Sequence, residues 1–168
     1  MAWYHQWTAR ILESIPGLYE WVTLKSAGNI PTSVPVTPWT QGPQNPFDRS
    51  TMFVTTGGVH TPDQTPFDMS DSRGDTSHRW IPKDQKDFQI THDYYDHSDA
   101  DEDINCLFPL PLARKLSRIN LIGPLTNRHL SFMGHIEDPL LPELMDEQLP
   151  KVWNQMNDCP ESVVLSPG

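Results

Sequence analysis

The chain has 168 residues, a formal net charge of −10, 36% hydrophobic residues and 17 prolines. That length suits one domain with a real core. Six Trp, six Phe and four Tyr exclude wholesale disorder, while the prolines imply much loop and extended chain. The acidic balance, with scattered basic residues, excludes non-specific nucleic-acid binding, and no apolar run is long enough for a transmembrane helix.

Residues 1–49 read as a helical and Pro/Trp-rich N-terminal segment. Trp3, Trp7, Ile11 and Ile15 recur every four residues, the stripe of an amphipathic helix that Pro16-Gly17 stops. Leu18, Tyr19, Trp21, Val22 and Leu24 suit a second short helix. Five prolines between 31 and 46 then predict an extended, irregular stretch, with Trp39 and Phe47 as anchoring points. The N-terminus lacks a basic region followed by an apolar run, so no secretory signal is visible and a cytoplasmic, reducing setting is expected.

Residues 50–168 carry an α/β pattern. Thr51–Thr55 reads as a buried strand, and Gly57-Gly58 permits a tight turn with positive φ. A long, Asp-rich loop follows. Phe88–Thr91 reads as a second strand. Residues 109–119 look helical, with Leu112, Leu116 and Ile119 on one side. His129–Met133 is a third strand. Leu141, Leu144, Met145, Val152, Trp153 and Met156 follow a helical period that Pro150 must kink or split. Val163–Leu165 reads as a last, buried strand. The alternation implies an open, mostly parallel sheet with helical crossovers. A buried parallel strand normally precedes a covering helix, so the domain is expected to continue past Gly168.

Two blocks stand out. Thr55–His60 and Thr91–Asp101 each follow a strand and carry histidine, and the second adds carboxylates. Loops at the carboxyl ends of parallel strands face a common crevice where ligands bind. His60, His92, His97 and Asp99 are therefore expected to wall one site, with Asp68 and Asp101 as secondary members. His60, His97 and Asp99 are the catalytic candidates, because a His beside a carboxylate titrates near neutrality. His92, Asp68 and Asp101 are candidates for holding substrate.

Asp99, Asp101 and Asp103 alternate like the start of a calcium loop. Ile104 stands where that loop needs Gly and Leu110 where it needs Glu, so calcium is excluded. A transition metal on His92, His97 and a carboxylate, with or without His60, stays open although the spacing matches no metal motif. Some of the aspartates should cap the helix that follows, Asp101 or Asp103 above all. Cys106 and Cys159 form no CxxC pair; Cys106, beside Leu107 and Phe108, is expected to be buried.

Several ordered motifs resemble the selenoprotein B family of the glycine, sarcosine, betaine and D-proline reductases. They are Val54-Thr55-Thr56-Gly57-Gly58-Val59-His60, Pro66-Phe67-Asp68-Met69, Gly74-Asp75 with Arg79-Trp80-Ile81-Pro82, and His97 through Asn105. Phe108-Pro109, Ile122-Gly123 and Ser131-Phe132-Met133-Gly134 continue the match, which covers about residues 50–168. The resemblance implies an oxidoreductase component that cleaves a C–N bond reductively through selenocysteine or cysteine and thiol/disulfide chemistry. It implies a small amino-acid-like substrate, a dithiol or thioredoxin-type reductant rather than a bound cofactor, a reductase partner subunit and a thiol or selenol carrier protein; oligomerisation is left open. In such proteins the redox residue follows a strand similar to Ser162–Gly168, so it is expected beyond Gly168; neither Cys106 nor Cys159 takes that position. The alternative is a non-catalytic or metal-binding relative without the redox residue.

Overall fold

A computed structural model of the chain describes residues 46–156 and 159–166. The expected helices of residues 3–24 and the Pro-rich stretch before Pro46 lie outside them.

Four strands build the main sheet: β1 (Thr51–Thr55), β3 (His78–Pro82), β5 (Arg128–Phe132) and β6 (Ser162–Ser166), in the order β3-β5-β1-β6. β5 and β6 flank β1 in parallel, with Val54 beside Leu130 and beside Leu165. β3 closes the other edge antiparallel to β5. It was not foreseen, because Arg79 and Pro82 break a strand-like pattern. Both suit an edge, where a missing amide donor and a charged side chain do no harm.

β1 is rich in β-branched and aromatic side chains and buries both faces, so its residues divide between two cores. Phe53 packs with Leu110 and Ala113 of helix α2 (Leu110–Arg118) and with Phe108 and Ile81. On the opposite face Val54, Leu130 and Phe132 meet Val152 of helix α4 (Leu149–Gln155). The result is a mixed, mostly parallel sheet between helices, the α/β class expected.

The second expected strand is reduced to β4 (Gln89–Ile90), which pairs antiparallel with β2 (Val59–His60) in a separate two-stranded sheet. The buried face of α2 also differs from expectation. Leu110 and Ala113 are buried, whereas Leu112 and Ile119 are exposed, because Pro109 and Pro111 set the phase of the first turn. Asn120, at φ 57°, ends this helix in the left-handed region; its N–H donates to Ser117 and that of Leu121 to Leu116, the double closure usual for glycine.

Pro150 does not break the last helical stretch. A short α3 (Leu141–Glu143) runs into a π-helical turn (Leu144–Gln148) and then α4, with Pro150 in the first turn of α4. The wider turn makes room for a ring that would clash with the carbonyl four residues earlier. β6 is not the buried strand expected: it is the outer strand of the sheet, and Val163, Val164 and Leu165 are exposed. Cys106 is exposed too, since the 3-10 turn Ile104–Cys106 points inward through Leu107 and Phe108 just after it.

Candidate functional site

The carboxyl ends of β1, β5 and β6 meet at one end of the sheet. Thr56 N–H donates to the Ser166 carbonyl (3.2 Å) and Gly58 N–H to the Phe132 carbonyl (3.0 Å). Gly58 has φ 70°, and a Cβ there would lie 2.4 Å from the Thr91 carbonyl oxygen. The left-handed turn and the missing side chain together let the second loop come down onto the first. Thr91 N–H then donates to the Gly58 carbonyl (3.0 Å). The two histidine-bearing blocks are thus in contact.

His60 is buried at that seam. Its Nδ1–H donates to the Thr61 carbonyl (3.0 Å), which leaves Nε2 to accept from the Thr91 hydroxyl (2.8 Å). Both nitrogens are spent on joining the loops. A reacting group has no nitrogen left to use, although the ring sits where a catalytic histidine was expected.

His92 lies one residue beyond Thr91 and is also buried. Its Nδ1 accepts the Tyr94 N–H (3.2 Å), and its ring lies 4.6 Å from that of Tyr95. Burial, then the nearby His135 and His97, push it down to about 4. At neutral pH it is an uncharged ring carrying its proton on Nε2.

His97 stands at the start of helix α1 (Ser98–Glu102). Its Nδ1 meets Asp101 Oδ2 at 2.8 Å, one helical turn on, and its ring packs against Tyr95 at 5.7 Å. The carboxylate accepts from Nδ1–H, which fixes the orientation of the ring. Asp101, rather than Asp99, is therefore the carboxylate that orients His97; the Asp99 side chain points to solvent in the first turn of α1. Asp68 is engaged within its own loop: its carboxylate accepts the Ser70 N–H (2.8 Å) and is held below the usual range by that residue. Capping falls to Asp103 and Asp96, which accept the Asn105 and Ser98 amides.

Tyr95 ties the loop to the sheet. Its hydroxyl donates to the Gly57 carbonyl (3.0 Å), and burial, then Asp101, push the phenol above its ordinary range. Leu107 packs against Gly57, and its carbonyl accepts the Ser166 hydroxyl. A continuous path of contacts therefore runs from His97 through Tyr95 and Gly57 to the end of β6.

His135 completes the group and was missed. It follows β5 by three residues, donates from Nε2 to the Ser72 carbonyl (2.9 Å) and stacks on Tyr94 with ring centroids 4.0 Å apart. The rule that picked His60 and His92, a histidine just past a strand, picks His135 as well. Beside it lies an apolar cavity of about 260 Å³, lined by Thr56, Met133, Gly134, Ile136 and leucines of the α3–α4 stretch. A cleft of similar size, about 280 Å³, lies at the amino end of β1 among Lys83, Arg114 and Arg118, away from these histidines. Among the described residues no group of three or more His, Cys, Asp or Glu side chains is placed to hold a metal ion. No helix among them is long and apolar enough to cross a membrane.

No family model matches the chain, and no solved structure matches it. It is 32% identical over 137 residues to the D-proline reductase subunit gamma of Acetoanaerobium sticklandii, an alignment covering 79% of this chain and 54% of that protein. The chain thus spans about half the length of the curated relative it matches. Ordered motifs, strand-end loops and this identity agree: the chain resembles the D-proline reductase family.

Proposed function

We propose that this chain is a subunit of a D-proline-reductase-like enzyme and forms one wall of the site where a small amino-acid-like substrate undergoes reductive C–N cleavage. Two electrons come from a thiol or selenol pair, which ends as the oxidised sulfur or selenium linkage. Two protons complete the new C–H and N–H bonds. The redox residue follows β6, and a dithiol or thioredoxin-type protein restores it; a partner subunit completes the site, in a reducing, cytoplasmic compartment.

The single observation that carries this reading is the placement of His97. Oriented by Asp101, it stands at the end of the contact path that reaches the carboxyl end of β6. On this reading His97 Nε2 hands a proton to the leaving nitrogen, as a positioned imidazole can near neutral pH. His92, uncharged and with its proton on Nε2, donates a hydrogen bond to the substrate carboxylate. His60 holds the two loops together. Asp99 borders the entrance, and Asp68 is assigned to its loop. The apolar cavity beside His135 takes the aliphatic part of the substrate.

The test is co-expression of the chain, together with the residues that follow Gly168, with the partner subunits of a D-proline reductase, followed by a dithiol-dependent assay on D-proline, sarcosine, betaine and glycine. Turnover of one of them, lowered at least a hundredfold by His97→Ala in a folded assembly, supports the reading. Absence of turnover with every substrate and partner overturns it.

A further inference from the structure

Seven of the eleven large hydrophobic side chains exposed among the described residues lie after residue 140. Met145 (58% exposed), Leu149 (37%) and Trp153 (69%) recur every four residues along the π turn and α4. Val163 (56%) and Leu165 (63%) lie on β6, opposite Met52 and Val54, and so project on the sheet face that α4 covers. Among the described residues the outer edge of β6 pairs with no strand. Proteins rarely leave a long apolar edge strand bare, since it invites pairing with other chains.

The preceding part of the chain arrives at this place. The Ser50 carbonyl accepts both the Glu161 and the Ser162 N–H at 3.0 Å, and Ser50 N–H donates to the Glu161 carboxylate at 3.1 Å. Residues before Ser50 therefore leave from the start of β6. They carry Trp3, Trp7, Ile11 and Ile15 at fourfold spacing and Leu18, Trp21, Val22 and Leu24 after them. The intervening stretch with its prolines is long enough: residues 25–45 reach up to ~65 Å at ~3.1 Å per residue. β6 spans only ~17 Å.

We propose that residues 3–24 of the same chain cover the apolar surface formed by β6 and the exposed side of α4. The segment supplies the layer that an outer strand of an α/β sheet otherwise lacks, and it draws on apolar side chains that need burial of their own.

A benzoyl-phenylalanine photocrosslinker in place of Leu165, in the full chain, tests this. Equal amounts of nitrogen-15-labelled and unlabelled protein are mixed before irradiation. Crosslinks to peptides within residues 3–24, of one isotope only, are the expected result. Mixed-isotope crosslinks would show a second copy on this surface, and an absence of crosslinks within 3–24 would leave it to another occupant; either overturns the proposal. Deleting residues 2–24 should also speed amide exchange across residues 162–166 at least tenfold, with protection restored by the synthetic peptide of residues 1–24. Unchanged exchange in a folded deletion variant overturns the proposal, and the crosslink decides the matter where the deletion does not fold.

Discussion

His60 and His97 sit on neighbouring loops at the same end of the sheet, yet their rings do opposite work. His60 is buried and spends both nitrogens on Thr61 and Thr91. His97 keeps 14% of its side chain exposed and rests Nδ1 on the carboxylate of Asp101, itself 53% exposed. Position after a strand selects both alike. Only the packing tells a ring that holds the loops from one that can meet a substrate. A buried polar group must be satisfied within the protein, and satisfaction removes it from chemistry.

The sharpest way to break this contrast is at the seam. Gly58→Ala puts a Cβ against the Thr91 carbonyl in a left-handed conformation. It should cost roughly 4 kcal/mol or more, read by chemical denaturation. His60→Ala should cost roughly 3 kcal/mol by opening a cavity and leaving Thr61 and Thr91 without their partner. Activity should then fall only as the folded fraction falls.

Acid should act through the buried rings. His92 and His129 are both pushed from 6.5 to about 4, each mainly by burial. His129 Nδ1 accepts the Phe53 N–H (3.0 Å), and its Nε2 has no partner among the described residues, so a second proton would face that amide. The unfolded chain takes up protons first. The contribution of these two rings to stability should be full above pH 6.5, fall between 6.5 and 4, and level off below. His129→Asn, whose Oδ1 can accept the same amide, should remove its share of this slope in pH-dependent thermal melts.

Tyr95→Phe loses the bond to Gly57 and should cost about 1 kcal/mol, with a looser 91–97 loop seen in amide exchange. His97→Ala comes last for stability, within about 0.5 kcal/mol, since its partner is an exposed carboxylate. Its activity loss should nevertheless be the largest of the series. If His97→Ala destabilised the fold as much as His60→Ala, the division between the two rings would be wrong.

Much of the architecture was legible in local pattern. The β-branched run at Thr51–Thr55, the strand at 129–133 and the proline-punctuated helical stretch from Leu141 all appear near their expected places. β3 was not legible, because an antiparallel edge strand needs little continuous apolar sequence. The short pairing of β2 with β4 was not either: two residues of ladder leave no periodic signal. Within the site, the loops and their histidines were legible as strand-end features. His135 met the same criterion and was overlooked.

By itself the sequence determined which residue types lie at strand ends, that the strands alternate with helices, and which family the motifs resemble. Those are local or ordered features, carried by composition and spacing along the chain. The tertiary structure decided that His60 is consumed by hydrogen bonds, that Asp101 rather than Asp99 orients His97, and that β6 is the outer strand of the sheet among the described residues. Each depends on partners brought from elsewhere in the chain or on how a helix turns a side chain, and burial and hydrogen-bond saturation exist only once those neighbours are in place.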